Sequence, residues 1–214
     1  MKVDRLVTVM LDVARRISKV SELAGAAFDA DEVFSLSRED VARNGWGKDP
    51  MLRRLAQTAP VDITEKTFLE RCKIFHERWQ KMPNNKMNDL LHVTGIPKKD
   101  LKGLGTIKLV QALANVTEGL NREHVRATDA FPTAQVPGGW KDRNDKLAPL
   151  FVAHDLRNAE AHVAPGNVPQ LLASLEYDIA GLNSGYGLAL DHVIDGVINA
   201  FAHLNAELAA FLDR

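Results

Sequence analysis

The 214 residues carry 27 Lys and Arg against 28 Asp and Glu, a formal net charge of −1, and are 45% apolar and 26% charged. That is enough chain to bury one core or at most two, with an ordinary globular composition, and the balanced charge does not indicate bulk attraction to nucleic acid. A single cysteine, Cys72, excludes an intrachain disulfide and cysteine-rich zinc sites, and the lack of a secretory core or a long apolar run predicts a cytoplasmic protein with no membrane partner.

The apolar period is helical along the whole chain and strand signals are nearly absent, which predicts an all-α fold. Leu6, Met10, Val13, Ile17, Val20 and Ala24 step by four and three, giving a helix over residues 3–25 closed by Gly25. Three short helices are expected next. One starts at Asp29 or Asp31, one is capped by Ser37 with Asp40 three residues on, and one runs from Pro50 to before Pro60. Thr64 caps a helix with Phe68, Cys72, Phe75, Trp79 and Met82 inward, and Pro83-Asn84-Asn85 is read as its end. A helix around 86–93 stops at Gly95-Ile96-Pro97, and another over about 106–126 turns Leu109, Leu113, Val116 and Leu120 inward.

Residues 127–143, rich in Thr, Pro, Gly and Asp, read as a long exposed loop. Helices follow over about 145–163 and from Pro169 to around Gly181. The longest helix, 186–212, keeps Leu190, Ile194, Val197, Phe201, Leu204, Leu208 and Phe211 on one seam over three heptads, as in a bundle or a helix pair. Charge is uneven beneath the neutral total. Residues 66–108 hold 10 Lys and Arg against 4 Asp and Glu, while residues 159–214 hold 1 Arg against 7 Asp and Glu. Such polarity builds a basic groove, pairs the two regions, or leaves two solvated faces of opposite sign.

The segment His154-Asp155-Leu156-Arg157-Asn158-Ala159-Glu160-Ala161-His162 carries the chemistry. A fixed cation beside a group that titrates near neutrality suits metal-free RNA cleavage. His162 would take the proton of a ribose 2′-hydroxyl, and Arg157 would hold the phosphate and stabilise the developing charge. Asn158 can hold the guanidinium or the phosphate. Arg157 and His162 lie five apart, about 140° around a helix, so a second subunit is expected to help complete the site. The same spacing occurs at Arg71-Cys72-Lys73-Ile74-Phe75-His76. There Cys72 and Phe75 belong to the apolar stripe, so His76 is read as a stripe neighbour with no part in cleavage. His154 and His162 lack the i, i+4 spacing of a helical zinc pair, so no metal and no cofactor is expected.

Arg157, the polar Asn158 and His162 resemble the motif of the HEPN superfamily, an Arg, usually a polar residue next, and a His after four to six intervening residues. The resemblance implies an all-α bundle over residues 62–214, with residues 1–61 as an additional small helical N-terminal region. It implies a metal-independent RNase in which two motifs face each other across a homodimer. RNA is then the substrate, Arg157, Asn158 and His162 are the catalytic set, and a toxin or defence effector restrained by an antitoxin or regulatory partner is a natural setting.

Two other readings remain. One is a helical interaction or dimerisation module without catalysis. The other is a nucleic-acid-binding module over residues 95–113, where Gly103-Leu104-Gly105 before a helix is similar to a helix-hairpin-helix motif. Lys98, Lys99, Lys102 and Lys108 would supply its counter-charge, although Leu109 stands where that motif usually has a small residue. Trp46 and Trp140 sit in predicted loops, where each can stack a base or anchor the loop.

Overall fold

A computed structural model describes residues 2–26, 28–57, 59–133, 135–161 and 167–214, with backbone alone at 160 and 161. The fold is all-α, and no strand occurs among the described residues. The helices are α1 (Lys2–Leu23), α2 (Ala30–Val33), α3 (Arg38–Asn44), α4 (Pro50–Leu55), α5 (Glu65–Trp79), α6 (Asn84–Val93), α7 (Lys98–Leu101), α8 (Thr106–Arg122), α9 (Ala148–Ala161), α10 (Val168–Ala173) and α11 (Gly187–Leu212). Short 3-10 turns occupy Trp46–Lys48, Ala127–Asp129, Asp145–Leu147 and Ile179–Ser184. No helix among the described residues is long and apolar enough to cross a membrane.

Local chemistry sets the helix ends. After α1, Gly25 takes φ +67°, the Gly25 N–H bonds the Glu22 carbonyl at 3.0 Å and the Ala26 N–H bonds the Ser21 carbonyl at 2.9 Å. That pair of bonds satisfies the last carbonyls of the helix. Asp29 caps α2 through the Asp31 N–H at 2.9 Å, while Glu32 reaches back to the Asp29 N–H at 3.3 Å. Asp49 accepts from the Met51 and Leu52 N–H groups at 2.9 and 3.0 Å to start α4. The Thr67 N–H bonds Thr64 Oγ1 at 3.2 Å at the head of α5.

Several expectations are corrected. Pro83-Asn84-Asn85 opens α6 and does not close α5, which has already ended at Trp79. Pro83, with φ −74°, is set for a helix entry. α8 stops at Arg122, four residues early, because His124 adopts φ +59° and the Val125 N–H closes on the Leu120 carbonyl at 3.0 Å. This is a glycine-type stop made without glycine, so composition gave no warning. The loop over 127–143 is not simply exposed. Ala127, Ala130 and Trp140 are buried, and Asn115 Nδ2 donates to the carbonyls of Gly139, Trp140 and Asp142. The helix expected from Pro169 to Gly181 breaks after α10, where Glu176 takes φ +63° before the turn at Ile179–Ser184.

The chain forms two compact units, and α1, α3, α5 and α11 contribute to both. One comprises Met1–Thr8, Glu39–Arg78 and Lys146–Ala200; the other comprises Val9–Arg38, Trp79–Asp145 and Phe201–Arg214. Residues from 1–61 and from 62–214 enter each unit. In the first unit, segment 60–65 lies against the head of α11. The Tyr186 N–H bonds the Ile63 carbonyl, the Gly187 N–H bonds the Val61 carbonyl, and Tyr186 Oη donates to Glu65 Oε2. A Cβ on Gly187 would meet the Pro60 carbonyl oxygen at 2.3 Å, so the approach requires glycine.

In the second unit, Phe34 and Trp79 pack on Phe201 with ring centroids 5.4 and 5.9 Å apart. The same unit holds a polar network, with Glu118 Oε1 accepting from Asn144 Nδ2 at 2.7 Å and from His203 Nε2 at 2.8 Å. The seam residues Leu190 to Phe211 are all 4% exposed or less. The chain's own fold therefore consumes this seam, and it is not a free face for a second copy.

Candidate functional site

The motif helix α9 buries Leu150, Val152, Ala153 and Leu156 and leaves His154, Arg157 and Asn158 half-exposed. Residues three and four apart are neighbours on a helix surface, so His154, Arg157 and Asn158 share one face. The Arg157 guanidinium donates from Nη1 to Asn158 Oδ1 at 3.0 Å. Asp155 is exposed. A planar cation held by a neighbouring amide, on a face open to solvent, presents its other N–H groups to a phosphate or a carboxylate. His162 lies outside the described residues.

The histidine that meets this face comes from α5. His76 Nδ1 and His154 Nδ1 are 3.0 Å apart, with ring centroids 4.7 Å apart and an interplanar angle of 47°. His76 is only 5% exposed, and its Nε2 has no partner among the described residues. Burial, the neighbouring His154 ring and the Arg157 cation, in that order, push its pKa down to about 4. At neutral pH the His76 ring is therefore uncharged. Two nitrogens at this separation share one proton, so one ring donates and the other accepts. Among the described residues, no third His, Cys, Asp or Glu joins the pair in an arrangement that could hold a metal.

Sequence reasoning missed His76 as a neighbour of the motif. One signal was available, because position 76 follows Cys72 by one helical turn beside the inward stripe, and a titratable ring there needs a buried partner. Its companion Arg71 goes elsewhere, donating to the carbonyls of Leu55 at 3.3 Å and Gln57 at 2.8 Å. Two other groups in this unit serve structure. Arg78, nearly buried, pairs with Asp49. Burial pushes the Asp49 carboxyl up, but bonds from Arg78 and from the Leu52 and Met51 amides outweigh it and hold the pKa below the ordinary carboxylate value. The Cys72 thiol is fully buried and pushed upward by that burial, so it is no nucleophile at neutral pH.

The lysine segment belongs to the second unit. Lys98, Lys99, Lys102 and Lys108 are all exposed, and Lys98 Nζ lies 3.2 Å from Asp89 Oδ1. Gly103 takes φ +83°, Gly105 precedes α8, and Thr106 Oγ1 bonds Asn84 Oδ1 at 2.9 Å, tying the heads of α6 and α8 together. Leu101 and Leu109 are buried, so the departure at Leu109 is accommodated inside the packing of α8. Trp46 and Trp140 act as loop anchors. Trp46 Nε1 donates to Asp4 Oδ1 at 2.6 Å, and Trp140 is 7% exposed with Lys141 Nζ 4.6 Å from its ring centroid. No protein-family model, curated protein or solved structure matches the chain.

Proposed function

We propose that this chain is a metal-independent endoribonuclease of HEPN type, acting through Arg157, Asn158 and His162. One observation carries the reading, the Arg157 guanidinium braced by Asn158 on a half-exposed helix face that also bears an imidazole. Arg157 holds a phosphate oxygen and stabilises the charge that grows on it. His162 accepts the proton of the attacking 2′-hydroxyl. The products are a 2′,3′-cyclic phosphate and a 5′-hydroxyl, and DNA resists because it lacks the nucleophile. The resemblance extends the proposal to a homodimer and to a toxin or defence role under an antitoxin or regulatory partner. Because the α11 seam is buried, a second copy has to join through another face, and light scattering at tens of micromolar tests for it. The functional test is incubation of purified protein with RNA in EDTA and analysis of the ends. Cleavage with cyclic-phosphate ends supports the reading, and intact RNA or metal-dependent cleavage overturns it.

A second reading rests on the exposed Lys98, Lys99, Lys102 and Lys108 around the Gly103 turn, a surface suited to a nucleic-acid backbone. Tight duplex-DNA binding that disappears when these lysines become glutamates would favour that module over the enzyme.

A further inference from the structure

We infer that His154 is a second proton-transfer group of the phosphodiester site, held in its working tautomer by His76 as a positioning residue, so that one chain protonates the leaving group without help from a second copy. This inference rests on the ribonuclease reading above.

The chemistry asks for two proton transfers on opposite sides of the phosphorus. As the 2′-oxygen bonds to phosphorus it loses a proton, and as the phosphorus–O5′ bond breaks the departing oxygen gains one. A single imidazole does not stand on both sides of an in-line displacement. His154 lies one turn before Arg157 and Asn158 on the same face, half-exposed. Its Nδ1 is engaged by His76 at 3.0 Å, and its Nε2 has no partner among the described residues.

The two rings of the pair differ in access. His76 is 5% exposed, so it reaches a substrate only through His154. A buried ring beside the Arg157 cation stays neutral at neutral pH. With the His76 proton on Nε2, its Nδ1 lone pair accepts the His154 Nδ1–H across the 3.0 Å contact. That fixes the outer ring as Nδ1–H and leaves Nε2 to carry the transferable proton, the same division of labour by which a second group sets the tautomer of a working histidine. In the step itself the 2′-O–phosphorus bond forms and the phosphorus–O5′ bond breaks. The 2′-hydroxyl proton passes to the base, the His154 Nε2 proton passes to O5′, and exchange with water restores both groups.

A leaving group that departs as a stable anion needs no proton, and this separates the roles. The experiment compares an RNA oligonucleotide with uridine 3′-(p-nitrophenyl phosphate) as substrates, with folding checked by circular dichroism. We expect His154→Ala to cut the oligonucleotide about 10²- to 10⁴-fold more slowly, to lose the fall in rate at high pH that an acid imposes, and to cleave the nitrophenyl ester like wild type. His76→Leu should show the same selective defect. His76→Asn, whose Oδ1 stands where Nδ1 stood, should restore much of the oligonucleotide rate. If His154→Ala does not fold, His154→Gln takes its place with the same expected outcome. An equal loss on both substrates, or no loss on RNA, overturns this inference while the ribonuclease reading stands. A wild-type protein that cleaves neither substrate overturns both.

Discussion

Arg71 on α5 and Arg157 on α9 each stand five residues before a histidine in the sequence, and their guanidinium groups meet opposite surroundings. Arg71 on α5 donates to the carbonyls of Leu55 and Gln57, closing the segment after α4. Arg157 on α9 has one bond, to the amide of its neighbour Asn158, among the described residues. A guanidinium whose donors point at main-chain carbonyls is a structural clasp, whereas one braced by an amide on an open face can receive an anion. The histidine of the first segment then crosses the division, because His76 turns its ring to His154 on α9. Spacing along the chain did not separate the two arginines, but the groups that occupy their donors did.

The largest expected effect on this comparison comes from moving α9 without touching its polar face. A Cβ on Gly196 would lie 3.1 Å from Pro149 Cβ, at the head of α9. Gly196→Leu should therefore cost about 1–3 kcal/mol by overpacking and reduce RNA cleavage, while Arg71 keeps its bonds. Urea unfolding and a cleavage assay check this, and wild-type values in both would break the comparison.

A smaller effect is the acid sensitivity that His76 contributes. Its pKa is about 4 in the fold, against an ordinary value of 6.5. The unfolded chain binds that proton more tightly, so the stabilisation is complete above pH 6.5 and is lost as pH falls towards 4. Thermal melting between these limits should decline more steeply for wild type than for His76→Leu. Parallel curves would mean that His76 is not held neutral by its surroundings.

The smallest effect is expected at the other polar surface. Lys98→Glu, Lys99→Glu and Lys102→Glu together should leave stability within about 0.5 kcal/mol, as exposed changes usually do. RNA binding should weaken evenly across sequences, with the salt slope falling by about one per lysine that contacts phosphate. A loss of cleavage as deep as that of an α9 variant would shift the functional centre to the hairpin.

The helical class and most of the inward residues were legible because the four-three rhythm of Leu6 to Val20 and of Leu190 to Phe211 depends only on one face being covered. Stops made by Gly25 and Gly95 were legible for the same local reason. The ends at His124 and Glu176 were not, since each depends on a non-glycine residue accepting a left-handed backbone. Within the candidate site, Arg157 and Asn158 were readable as neighbours in sequence and prove to be hydrogen-bonded. The His76–His154 contact was hidden because it joins residues 78 apart, and periodicity marks a buried face without naming its partner.

The most direct test of the account is the cleavage of RNA in EDTA by Arg157→Ala and Arg71→Ala, each compared with wild type at equal folded fraction. We predict that Arg157→Ala loses about 10²- to 10³-fold in rate, the usual cost of removing a group that stabilises transition-state charge. Arg71→Ala should cleave at the wild-type rate per folded molecule and lose only stability. Equal rates for the two variants, or the greater catalytic loss in Arg71→Ala, would contradict the assignment of the site to the α9 face.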